Sequence, residues 1–192
     1  MKKLTILVVL LVFAYTGKAQ GGLDFGLKAG LNTSKISTDK DYYTPQTVNN
    51  YLFGAYSRIN FGRFHIQPEA YFSSKGGEVK SSSTIETIQS FDMNTVDVPV
   101  LAGFKLIDKK PISLRINVGP VFSFVTNKSV KGQLTEDKIV DNFFGWQYGA
   151  GLDFMFLSLD VRMESYANDL YDAPEFNSKN GTFVISLGAK LF

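Results

Sequence analysis

The chain contains no cysteine. This excludes a disulfide framework, a cysteine metal site and an N-terminal lipid anchor on cysteine. Beyond the first 14 residues no apolar run approaches the ~20 residues of a helical membrane span. Charge of one sign is also lacking: Lys+Arg number 20 and Asp+Glu 18, and without Lys2, Lys3 and Lys18 the balance is seventeen against eighteen. The basic pI therefore says nothing about nucleic acid, and no nucleic-acid partner is expected. There is no glycine-rich phosphate loop, nucleophile elbow or basic aromatic stripe, and no cofactor is expected. No low-complexity tract or linker divides the chain, and its length suits one domain.

What is present begins with "MKKLTILVVLLVFAYTGKAQ". Two lysines, an apolar run from Leu4 to Ala14, and the small residues Gly17 and Ala19 have the layout of a secretory signal cleaved after Ala19. The run is too short for a retained membrane helix. Residues 1–19 are read as signal peptide and 20–192 as the folded domain. Any membrane insertion of that domain would require a closed barrel, because lipid cannot satisfy open backbone groups.

Alternation of apolar and polar residues runs through the rest. "FHIQPEAYFSSKG" (64–76) puts Phe64, Ile66, Pro68, Ala70 and Phe72 on one face and His65, Gln67, Glu69, Tyr71, Ser73 and Lys75 on the other. The same pattern marks 23–32, 51–61, 95–106, 112–124, 144–154, 157–165 and 182–192, and no charge falls on the apolar parity of any of the eight. Three links are short: Gly62-Arg63, 107–111 and Met155-Phe156. Four are long and polar: 33–50, 76–94, 125–143 and 166–181. Short periplasmic turns, longer outer loops and an even strand count are features of outer-membrane barrels. The fold expected is all-β: an eight-stranded antiparallel up-and-down transmembrane barrel.

Parity alone does not say which face looks inward, since a soluble carrier barrel also separates apolar from charged residues. The glycines decide it. Gly26, Gly30, Gly54, Gly103, Gly119, Gly145, Gly149, Gly151 and Gly188 all share the polar parity. On a solvated face glycine only weakens a strand, whereas in a narrow lumen it makes room for neighbours. Hairpin counting sets Gly54 opposite Tyr71, Gly103 opposite Arg115, Gly149 opposite Arg162 and Gly151 opposite Asp160. The polar parity is nearly charge-balanced, as a buried set must be. A lumen network of Arg58, Glu69, Tyr56, Tyr71, Asp97, Arg115, Asp160, Arg162 and Glu164 is therefore expected. Within it Glu69 should accept from Arg58 and from the Tyr56 hydroxyl. Pro68, Pro99 and Pro120 interrupt strands and are expected to mark bulges.

"FGLKAGLNTSKIS", "IQPEAYFSSKG", "VDVPVLAGFKL" and the closing "SLGAKLF", in this order, resemble the PorT-like outer-membrane β-barrel family of the Bacteroidota. The resemblance covers residue 22 to the end. It implies an eight-stranded barrel in the outer membrane, surrounded by lipid and delivered by the outer-membrane assembly machinery. The named member's link to secretion does not extend to most members. Phe192 departs from the pattern, since Leu191, not the final aromatic, shares the apolar parity.

Chemistry is sparse. His65, the single histidine, is placed facing inward near the short-turn end beside Asn60, as a hydrogen-bonded lumen residue rather than a catalytic base. Asp39, Asp41, Asp137, Asp141, Asp169, Asp172 and Glu175 lack the spacing of a calcium loop. The reading is a non-enzymatic barrel with a side-chain-filled lumen. It would act on an unknown protein or ligand through its outer loops, or support the envelope or secretion. The alternatives are a small-solute channel or carrier barrel and a soluble periplasmic carrier.

Overall fold

The computed structural model describes residues 22–35, 43–46, 48–81, 88–131, 141–166 and 181–191. Residues 1–19, expected to be a signal peptide, Phe192 and the loop acids other than Asp141 lie outside these. The elements are β1 (Leu23–Lys35), β2 (Tyr43–Gln46), β3 (Val48–Phe61), β4 (Phe64–Ser81), β5 (Ile88–Lys109), β6 (Ile112–Lys131), β7 (Asn142–Phe154), β8 (Leu157–Tyr166) and β9 (Gly181–Lys190). They form one antiparallel sheet in the order β2-β4-β3-β1-β9-β8-β7-β6-β5, and β5 also pairs with β4. That last pairing closes eight strands into a barrel. β2 is an extra piece lying along the outer part of β4, one residue out of register with the β3–β4 ladder.

The alternation in the sequence becomes two faces. Leu27, Phe53, Phe72, Trp146, Tyr148 and Leu187 on the outside are each about half exposed. Arg115, Asp97, Arg162, Glu164 and Lys75 on the inside are at most 2 % exposed. An apolar belt this large on a soluble monomer would be an aggregation site; in lipid it is the solvated surface.

Strands run further than the alternation indicates: β4, β5 and β6 span 18, 22 and 20 residues. Much of the segments 76–94 and 125–143 is therefore paired backbone rather than loop. Outside the bilayer both faces of a strand meet water, so no alternation advertises it there. The expected bulges at the prolines are absent. Register is unchanged past Pro68, Pro99 and Pro120, because one missing donor is cheaper than moving every side chain to the wrong face. The irregularities fall instead between Asn94 and Thr95 and between Lys105 and Ile107.

The second irregularity corrects the β5–β6 hairpin. The turn is Lys110-Pro111, with Lys109 opposite Ile112, so Gly103 faces Asn117 and Arg115 faces Lys105. The other counted pairs, Gly54–Tyr71, Gly149–Arg162 and Gly151–Asp160, are register partners. At the β3–β4 turn Gly62 has φ 65°, and at the β7–β8 turn Met155 has φ 55°. Positive φ matches the hand of two-residue hairpin turns.

Candidate functional site

The inward faces of β1 and β3 to β9 meet in a lumen filled by side chains. Its hub is Glu69 on β4. Its carboxylate accepts from Lys28 Nζ at 2.8 Å, Arg162 Nη1 and Nη2 at 2.9 and 2.8 Å, and Gln67 Nε2 at 2.6 Å. Arg162 lies 3.2 Å from Asp160, which accepts from Arg115 Nη1 at 2.6 Å. Arg115 also reaches Asp153 at 3.1 Å, and Asp153 accepts from Arg58 Nη1 at 2.8 Å. The result is an alternating chain of cation and carboxylate across the barrel. In a site this dry each charge needs such a partner, since an unpaired one costs several kcal/mol.

The expected Arg58–Glu69 contact does not form. Arg58 Nε donates instead to Gln67 Oε1 at 2.7 Å, and its guanidinium lies 5.6 Å from the Tyr56 ring centroid. Tyr56 stands opposite Glu69 in register, but its ring fills the space left by Gly26 and Gly188. The expectation counted only the adjacent strand. In a narrow barrel Arg162 crosses the lumen from β8 and takes the carboxylate in bidentate fashion, the stronger arrangement.

Glycine makes this crossing possible. A Cβ on Gly151 would collide with the Arg115 guanidinium, and one on Gly103 with His65 and Asn117. Arg115 thus owes its room to Gly151, its partner on β7, and not to Gly103. His65 is buried at the level of Asn60. The Asn117 amide donates to His65 Nε2 at 2.9 Å while its oxygen accepts from Arg115 at 2.8 Å.

Towards the outer end a second cluster forms. Lys75 Nζ lies 2.7 Å from Glu164 and 2.9 Å from Asp97. Gln147 Nε2 donates to Glu164 at 2.8 Å and to the Tyr71 hydroxyl at 2.5 Å. Above it Met93 and Phe143 are buried, with Val125 and Tyr166 packed against them. Lys75 sits 5.1 Å from the ring centroids of both Phe143 and Tyr166. This apolar cluster packs over the ammonium towards the outer end of the described lumen. At the short-turn end a cavity of about 800 Å³ opens, with Arg58, Tyr56 and Asp153 among its lining and Lys105, Lys110 and Lys190 also on its wall.

All nine residues singled out from the sequence are buried; the seven charged ones join two ion-pair clusters, Tyr71 accepts from Gln147 beside the outer one, and Tyr56 packs its ring against Arg58. Parity also turns Lys28, Lys75 and Asp153 inward, but their roles as hubs needed the cross-lumen distances. Gln67 and Gln147 bridge the charged groups, and the same parity is their only signal in the sequence. Among the described residues no group of three acidic or histidine side chains could hold a metal ion.

The family described as outer membrane protein beta-barrel domain matches residues 18–165. The chain belongs to that family. This outer-membrane barrel is similar in fold to OprG from Pseudomonas aeruginosa, with TM-score 0.52 and 12 % identity over 88 % of this chain and 93 % of that one. It is also similar to Neisserial surface protein A, with TM-score 0.50 and 11 % identity over 88 % of this chain and 99 % of that one. No curated protein sequence matches it.

Proposed function

We propose that this is a non-enzymatic outer-membrane barrel with a plugged lumen, acting through its extracellular loops or as an envelope or secretion-support protein of the PorT-like type. One observation carries the reading. The bonded cross-section from Lys28 through Glu69, Arg162, Asp160 and Arg115 to Asp153 leaves the barrel axis occupied. Moving an ion through it would break several buried charge pairs, at ~3–5 kcal/mol each. The test is a planar-bilayer recording of refolded protein, which should give no steady conductance. Steady single-channel steps would favour the channel.

The cavity at the short-turn end favours a second reading, a barrel that holds a small solute on its periplasmic side without passing it. Crosslinking from intact cells, with the crosslinker in the loops, distinguishes the two by whether a protein partner is captured there. Export with cleavage after Ala19 belongs to the same proposal. Intact mass of the membrane-extracted protein tests it, and a mass retaining residues 1–19 would refute it.

A further inference from the structure

The irregularity between Lys105 and Ile107 changes what the short-turn end presents. Lys105 opposite Arg115 lies on the inward parity. An uninterrupted strand would turn Ile107 and Lys109 inward as well. The extra residue instead sets Ile107 opposite Leu114 and Lys109 opposite Ile112, both outward positions. Leu106 and Ile107 are then exposed together at 47 and 46 %, and Lys109 follows them on the lipid-facing side at the strand's end. Re-aiming a side chain at a barrel rim is a known use of a bulge. A lysine on that face is tolerable only at headgroup depth, where its stem lies on apolar surface and its ammonium meets a polar layer.

Lys109 has company. The β3–β4 turn lies beside it, tied by a hydrogen bond from Lys105 N to Arg63 O of 2.8 Å. Arg63, Lys109 and Lys110 are all exposed. Asp108, the one acid on these two turns, is 3.8 Å from Lys105. Lys109 thus faces outward, with the exposed Arg63 on the adjoining turn beside it, while Lys110 stands on the wall of the lumen cavity. Below them Phe64 and Phe104 make an edge contact at 4.9 Å, with Phe61, Leu106 and Ile112 beside them on the belt. Among the described residues the opposite side of the same end differs: the Met155-Phe156 turn is apolar, and Lys190 is paired with Asp24 at 3.1 Å.

We propose that Arg63 and Lys109, above the Phe64–Phe104 pair, form a docking site for an anionic phospholipid of the periplasmic leaflet. The phosphate receives charge-assisted bonds from the two turns and the acyl chains lie along the aromatic pair. The site rests on the outer-membrane reading and adds the leaflet, the lipid class and the residues.

The experiment uses the protein refolded into phosphatidylcholine vesicles with or without phosphatidylglycerol, then extracted mildly and weighed by native mass spectrometry with its retained lipid. Phosphatidylglycerol should be enriched over its share in the vesicle, and high salt should abolish the enrichment. Neutralising Arg63 and Lys109 to Gln should lower retention about fivefold per charge, the factor matching ~1 kcal/mol for each cation near an anionic surface. Lys190→Gln should leave it unchanged. Equal retention of the two lipids, enrichment that survives the double substitution, or full displacement by soluble glycerol phosphate would overturn the site. Failure to insert into either vesicle, read by resistance of the barrel to protease, would count against the outer-membrane reading instead.

Discussion

At the scale of single residues, space and charge are settled together. Gly151 exists for Arg115: without a Cβ there, the guanidinium can reach Asp160 and Asp153 at once. Gly151→Leu should therefore displace Arg115 and destabilise the barrel by roughly 1–3 kcal/mol from overpacking alone. Ala150→Leu, one residue away on the lipid face, should be nearly silent. Urea midpoints in micelles compare the two, and equal losses would refute the inward assignment of β7. Glu69 makes a sharper case. Glu69→Ala strands Lys28 and leaves Arg162 with Asp160 alone, and the expected loss is ~3–5 kcal/mol. In double-mutant cycles Glu69 with Arg162 should couple strongly, within the ~0.5–3 kcal/mol range of contacting pairs. Glu69 with Arg58 should couple less, since those two meet only through Gln67. The reverse order would contradict the bonding pattern.

At the scale of elements, the eight-strand barrel, the inward face and three of four counted pairs are legible in the amino-acid sequence. Each of these follows from a period of two and from hairpin counting. Three things are hidden for physical reasons. The outer reaches of β4 to β6 are held by backbone pairing, which needs no alternation of side chains, so they carry no stripe. The bulge near Leu106 leaves no composition signal, because Leu106 and Ile107 are both apolar and either could face lipid. Arg162 meets Glu69 across the lumen, a contact that adjacent-strand counting cannot see. The β7–β8 turn offers a test at this scale. Met155 is a non-glycine residue at φ 55°, a conformation costing ~1–2 kcal/mol, while glycine would give back ~0.5–1 kcal/mol in chain entropy. Met155→Gly should raise unfolding stability by up to about 1 kcal/mol, read from urea midpoints. A clear fall would mean that the Met155 side chain contributes more at the membrane interface than its backbone costs.

For the whole molecule the two ends differ, and the absence of cysteine makes the difference easy to read. Any introduced thiol is unique. Ser113 lines the cavity at the short-turn end. Ser123 is 1 % exposed, within 3.5 Å of Lys75 and at the level of the outer cluster. Between the two levels stand the bonded charges around Glu69 and Asp160. Ser113→Cys and Ser123→Cys each change one oxygen for sulfur, so the barrel should still form. A membrane-impermeant maleimide added to intact cells meets the outer face first, where Met93, Phe143 and Tyr166 pack together over Lys75. Neither variant should label. Permeabilising the envelope gives the reagent access to the short-turn end, and Ser113→Cys alone should then react. Labelling of Ser113→Cys in intact cells would reveal a continuous path and sink the plugged lumen. Reaction of Ser123→Cys after permeabilisation would show that the network opens from below, which is the behaviour a solute carrier requires.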